Sequence, residues 1–309
     1  MSRLLLAVVT AQPPSYYLQQ LLNGVFSGSI YALFAVGYTL VFGVLDILNL
    51  AHSAVFTLGA VIALVLLTNF GLPFWLAVLL AIAVCGAIGY GLDLVAFRPL
   101  RHRSAPHISS LITSIALALI FVSLTENTFG ANSRRFPSGV APAGEIHLGA
   151  IVVDRLELII LALTIFLMLV LGYVIRSTRA GRAIRAVAEN PRAAFLMGIN
   201  VDRTIALTLV ISSALGGLAG ILYGLSQHDV SPYIGRDQVE LKGLAVIVVG
   251  GMGSITGAVV AGYLLGLVEV LVLVTLGTNV RSGVAFALLF LALVLFPSGL
   301  FGERRARRT

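Results

Sequence analysis

Cysteine and lysine are almost missing from this chain: Cys85 and Lys242 are the single examples. A lone cysteine excludes a disulfide framework and any metal site built on paired thiolates. Charge is scarce as well. Only 11% of the 309 residues are Asp, Glu, Lys or Arg, against about 25% in a soluble domain. No polar stretch is long enough for a large soluble domain, which places ATP hydrolysis outside this chain. The alternating ten-residue strands of a membrane β-barrel are also missing.

What fills the chain instead is apolar sequence. Hydrophobic residues make up 59% of it, and the mean hydropathy is +1.02. Runs of the roughly 20 residues that cross a bilayer core recur along it. They read as spans at about 18–43, 47–69, 75–97, 108–126, 156–175, 204–225, 241–276 and 281–301. The expected fold is an all-α polytopic membrane protein of about eight spans, one transmembrane domain over 1–309. The opening "MSRLLLAVVTAQ" has the basic start of a signal peptide, but its apolar core is short for one, so a loosely ordered tail is expected.

The formal net charge of +7 is not laid out for nucleic acid. Basic residues flank the apolar runs, where they orient helices, and form no extended patch. Arg98, Arg101 and Arg103 mark one loop as cytoplasmic, and Arg304, Arg305, Arg307 and Arg308 mark the C-terminus likewise. Six arginines in the 28 residues 176–203 mark a third cytoplasmic segment. The loop 127–155 is then external.

Parity exposes an irregularity. The run 241–276 must begin and end outside, yet its 36 residues would reach roughly 54 Å as a single helix. In its middle stands "GGMGSITG", with Gly250, Gly251, Gly253 and Gly257 as helix breakers. Two half-helices folded back on each other, or one short and one tilted crossing, are expected; broken helices at membrane depth occur where protein buries them or they line a cavity. The same glycines do not make a phosphate loop, because no Lys-Ser/Thr pair follows. Small residues at four-residue spacing (Gly24 and Gly28; Gly216, Gly220 and Gly224; Gly253 and Gly257; Gly262 and Gly266) allow close helix packing. Contacts within one subunit are the plain reading; a dimer contact or a substrate path is the alternative.

Polar interruptions supply the candidate site residues. In "GVLDILNLAHS", Asp46, Asn49 and His52 follow at i, i+3 and i+6, near one face if helical. This is either an interfacial turn, with Asp46 as the next helix's N-cap, or part of a translocation path carried by Asn49 and His52. Asp93 and Glu126, near span ends, read as interfacial charges. Glu269 stands deep in "LLGLVEVLVLV" and needs a partner or a wet cavity; Lys242 and Arg281 are the candidate partners, and a transport role is the alternative. Ser27 and His52 have no spacing that specifies an intramembrane serine protease.

In 176–203, "AGRAIRAVAEN" predicts a short helix stopped at Asn190-Pro191. "RAAFLMG" predicts a second, ended by Gly198, and Asp202 is placed to cap the following span. Ala193, Ala194, Phe195, Leu196, Met197 and Ile199 are too apolar for a solvated loop. The segment either lies on anionic lipid or docks a cytoplasmic partner.

"NPRAAFLMGINVDR" resembles the coupling loop of ABC importer permeases, in which Glu-Ala-Ala is followed, after three intervening residues, by Gly. Ala193, Ala194 and Gly198 match; Arg192 stands where Glu is usual. The longer stretches "GRAIRAVAENPRAAFLMGINVDR", "GSIYALFAVGYTLVFGVLDILNLAHS", "GLAVIVVGGMGSITGAVVAGYLLGLVE" and "FPSGLFG" resemble the branched-chain amino acid (LivH/LivM-type) permease family, in order across 28–302. Ser53 departs from the Gly that often follows the His.

The resemblance implies a permease subunit of an ATP-driven importer in the bacterial plasma (inner) membrane, not itself an enzyme. The implied solute is a branched-chain or related small amino acid; urea, short amides or other small polar solutes are the alternative within the family. A stand-alone secondary transporter or channel is the alternative of another class. The implied partners are a second, related permease, two cytoplasmic ATPase subunits that hold ATP and Mg, and a periplasmic or extracellular solute-binding protein. No cofactor or metal is expected in this chain. Arg185, Glu189, Asn190, Pro191, Ala193, Ala194 and Gly198 would form the coupling loop.

Overall fold

The computed structural model describes residues 13–103, 105–140, 142, 144–276, 283, 287, 290, 291, 294, 295 and 299–302. Prolines open several helices, where a missing N–H costs nothing. Helix α1 (Pro14–Leu45) carries Pro14 in its first turn; α2 (Ala51–Thr68) follows after a short break. Helix α3 (Phe74–Leu92) starts behind Pro73 and runs through a π turn, Asp93–Phe97, into α4 (Arg98–His102). Helix α5 (His107–Phe129) starts behind Pro106. Seven helices among the described residues are long and apolar enough to cross a membrane. The eighth expected span, 281–301, lies for the most part outside the described residues, as do Arg281, the arginines at 304–308 and the first 11 residues.

The loop after α5 is not wholly irregular. Strands β1 (Glu145–Leu148) and β2 (Ile151–Asp154) form an antiparallel hairpin, with Glu145 opposite Asp154 and Leu148 opposite Ile151. Asp154 then caps α6 (Arg155–Ser177), accepting from the Leu156 N–H at 3.0 Å. Gln19 ties the hairpin to α1 through both the N–H and the C=O of Val152, at 2.9 and 2.8 Å.

At the opposite, arginine-rich end, α7 (Arg179–Glu189) and α8 (Pro191–Leu196) form an elbow that leads into α9 (Val201–Gln227). The chain then turns at His228 into a second π turn, Gly235–Glu240, followed by α10 (Leu241–Gly250) and α11 (Ile255–Leu276).

The core is built on α9, which packs against α1, α2 and α3, while α11 lies along α1. Glycines make these approaches close. A Cβ on Gly220 would overlap the carbonyl of Phe56, and one on Gly262 the backbone of Ala32. Of the glycines at four-residue spacing, all but Gly253, which lies in a turn, thus serve packing within the chain.

The run 241–276 is interrupted. Helix α10 ends at Gly250, and the chain reverses through Gly251 and Gly253, at φ of +100° and +89°. Only glycine takes such values without strain. A helix end leaves carbonyls without partners. Here those of Val249 and Gly250 accept from the Leu300 and Phe301 N–H groups at 2.8 and 3.0 Å. The stretch "GLFG" is thus the seal on the helix break, a role its sequence does not announce.

Two capping expectations are corrected. Asp46 does not begin α2: it ends α1 in the left-handed conformation, φ 54°, and α2 has no side-chain cap. The 46–50 stretch is non-helical, so Asp46, Asn49 and His52 do not share a helix face; Leu48 C=O and Leu50 N–H bond to Ser114 Oγ of α5 instead. Asp202 does not cap α9 either. Asn200 does, accepting from the Arg203 N–H at 2.9 Å, because its side chain sits one residue ahead of the first turn, where an N-cap must be.

Candidate functional site

The elbow is shaped by short-range chemistry. Thr178 Oγ1 caps α7 by accepting from the Gly181 N–H at 3.1 Å, and the Arg185 guanidinium bonds the Ile175 carbonyl of α6. Glu189 is the last residue of α7. Asn190 ends α7 and starts α8, its Oδ1 accepting from the Arg192 and Ala193 N–H groups at 3.0 and 3.1 Å. Pro191 follows at the first helical position. Ala194 turns inward at 4% exposure, whereas Phe195, Leu196 and Met197 stand out at 69%, 83% and 82%. Gly198, at φ +83°, reverses the chain behind them. Beside this knob lies a recess of about 740 Å³ lined by Arg101, His102, Pro191, Arg192, Phe195 and Leu196.

Asp202 holds the elbow to α4. Its carboxylate meets Arg101 at 3.0 Å, His102 at 2.9 Å and Arg98 at 3.4 Å. Arg101 reaches on to the buried Asp93 at 2.7 Å. Asp93 is thus a structural anchor between π turn and elbow.

His52 and Asn49 lie inside the bundle, at 1% and 3% exposure. The His52 ring sits between Phe34 and Tyr38, with centroids 4.7 and 5.5 Å away. Its Nε2 lies 3.3 Å from the Phe34 carbonyl, and its Nδ1 3.4 Å from Ser212 Oγ, which donates to the Gly37 carbonyl at 2.7 Å. Glu269 belongs to another cluster. Its Oε1 accepts from Lys242 Nζ at 2.8 Å, and Lys242 also donates to the Tyr31 hydroxyl at 2.8 Å. Of the two partners read for Glu269, Lys242 is in contact with it, while Arg281 lies outside the described residues. This trio joins α10, α11 and α1. The structure therefore keeps His52 and Glu269 in separate clusters.

Charged residues absent from the sequence candidates mark an open cleft of about 540 Å³ between α2, α5 and the second π turn. Apolar walls come from Leu50, Ala54, Leu119 and Leu241, and its polar groups are Ser53, Arg236, Asp237 and Glu240. Ser53 Oγ donates to Glu240 Oε2 at 3.1 Å. Gly235 is pressed on the Ser53 carbonyl, and its N–H donates to Thr57 Oγ1 at 3.0 Å. "YIGRDQVELK" reads in sequence as a polar connection between spans; nothing in its pattern places it inside the bundle. Among the described residues no three His, Cys, Asp or Glu side chains gather as a metal site.

A helical bundle with a polar-studded core, an interrupted helix and an apolar knob at its arginine-rich end defines a polytopic α-helical membrane protein. A family model described as branched-chain amino acid transport system / permease component matches residues 20–294. The chain belongs to that family. It is 37% identical to the high-affinity branched-chain amino acid transport system permease protein LivH of Escherichia coli, with 93% of this chain and 96% of LivH covered. It is likewise 37% identical to BraD of Pseudomonas aeruginosa, another high-affinity branched-chain amino acid transport system permease protein, at the same coverage. A solved structure, PsaBC from Streptococcus pneumoniae in complex with Fab, matches at a TM-score of 0.50 over 97% of this chain and 98% of that one. At 13% identity that likeness is one of fold.

Proposed function

We propose that this chain is the membrane-spanning subunit of an ATP-driven ABC importer that brings branched-chain amino acids into the bacterial cytoplasm. The near full-length likeness to LivH and BraD carries the reading. Short loops rich in arginine stay on the cytoplasmic side, so the elbow faces the cytoplasm and the β-hairpin faces outward. The elbow is the coupling loop. Two ATPase subunits, which hold ATP and Mg, seat Phe195, Leu196 and Met197 and push through α7 and α8. A second, related permease completes the pathway, and a solute-binding protein delivers at the hairpin end. Residues 127–155 are external in this arrangement, and the C-terminus is cytoplasmic.

The test is reconstitution with the second permease, both ATPases and the binding protein in proteoliposomes. Leucine uptake that needs ATP and stops with vanadate is expected. Uptake by the permeases alone, driven by an ion gradient, would sink the reading in favour of a secondary transporter.

A further inference from the structure

The cleft between α2, α5 and the second π turn lies half-way along the bundle, and it is charged. On one wall, Ser53 is two residues from Val55, whose carbonyl lies 3.9 Å from Cys85 Sγ. Cys85 comes 11 residues after Phe74 in a span of 29 residues. On the other wall, Ile115, Leu119 and Val122 occupy the middle of the 23-residue α5 and repeat at helical spacing on one face. Arg236 and Asp237, a loose ion pair at 4.0 Å whose side chains are 61% and 59% exposed, therefore stand at a depth where a lipid-facing charge is strongly unfavourable. Their face needs water.

The chemistry of the cleft is specific. A guanidinium and two carboxylates sit within five residues of one turn, over walls of aliphatic side chains. A guanidinium fork matches a carboxylate, a carboxylate matches an ammonium, and Leu50, Ala54 and Leu241 match a branched aliphatic group. From this we infer that the cleft is a way-station on the translocation path that holds the zwitterion of an aliphatic α-amino acid, Arg236 taking its carboxylate and Asp237 with Glu240 its ammonium. The inference rests on the importer reading above and adds the binding residues to it. Ser53 orients Glu240 and is a positioning residue.

The assembled importer in proteoliposomes supplies the test. Ala118→Cys places a thiol on the α5 wall, while the fully buried Cys85 serves as an internal silent control. A charged, membrane-impermeant thiosulfonate is expected to label position 118, and leucine with its binding protein is expected to slow that labelling. Arg236→Gln is expected to lower leucine uptake by about 10- to 100-fold, the effect of losing one charged hydrogen bond to the solute. No labelling means that lipid or a helix of the second permease fills the cleft, and overturns the site. Labelling that leucine does not slow, or Arg236→Gln uptake within about twofold of native, overturns it too. A native complex that takes up no leucine with ATP is a different failure, that of the importer reading. An Arg236→Gln complex that does not assemble leaves the decision to the labelling and its protection.

Discussion

Glu269, at 1% exposure in a long apolar helix, needs a counter-charge, and Lys242 stands 2.8 Å away. Removing one member of such a pair strands the other in apolar surroundings, whereas replacing both with apolar groups does not. Lys242→Met is expected to destabilise the protein by about 3–5 kcal/mol. Lys242→Met with Glu269→Leu is expected to regain most of that loss. Thermal unfolding of the purified protein in detergent reads both; equal losses would rule out the pairing as the cause. His52 poses a second residue-scale question, because its ring is walled in by Phe34, Tyr38 and Ser212. A cysteine at position 52 is expected to stay unreactive toward water-soluble thiol reagents in the resting complex. Labelling as fast as at an exposed site would put His52 on an open path.

Elements here depend on their ends. Asn190 ends one helix with its backbone N–H and caps the next with its side chain, and Gly198 turns the chain at φ +83°. Asn190→Ala is expected to cost about 1 kcal/mol through the lost cap, and Gly198→Val about 1–2 kcal/mol through left-handed strain. Both losses fall on the elbow, so the expected readout is faster proteolysis within 178–200 and weaker coupling of ATP hydrolysis to uptake. Ala194→Arg goes further, since a buried methyl becomes a charged chain beneath the knob, and is expected to abolish uptake. Normal uptake by Ala194→Arg would refute the elbow as the coupling element. Much of the elbow was legible beforehand, because Asn-Pro and Gly act on their own backbone. Asp202 was not: its partners Arg98, Arg101 and His102 come from α4, about a hundred residues earlier in the chain, and no local pattern points to them.

Across the whole molecule, glycine decides how closely the helices approach, but only some glycines do so. Gly220 and Gly262 each have a neighbouring backbone where a Cβ would go, while Gly91 and Gly172 have open space. Gly220→Leu or Gly262→Leu is expected to cost at least about 1–3 kcal/mol by overpacking. Gly91→Ala and Gly172→Ala are expected to be neutral or to gain up to about 1 kcal/mol of helix propensity. Unfolding temperatures of the four variants check the contrast, and similar losses in all four would defeat it.

The sequence by itself determined the membrane class, the spans within the described residues, the break after Gly250 and the two-helix elbow. Hydropathy, proline and glycine act over a few neighbouring residues, so a linear reading captures them. The tertiary structure decided which polar groups lie at depth. Ser53 meets Glu240 across 187 residues, and Lys242 meets Glu269 across 27. The segment 235–240 enters the bundle because Gly235 fits against the Ser53 carbonyl. Such depth is set by contacts between distant helices, and the same charged letters would read as a surface loop wherever that contact did not form.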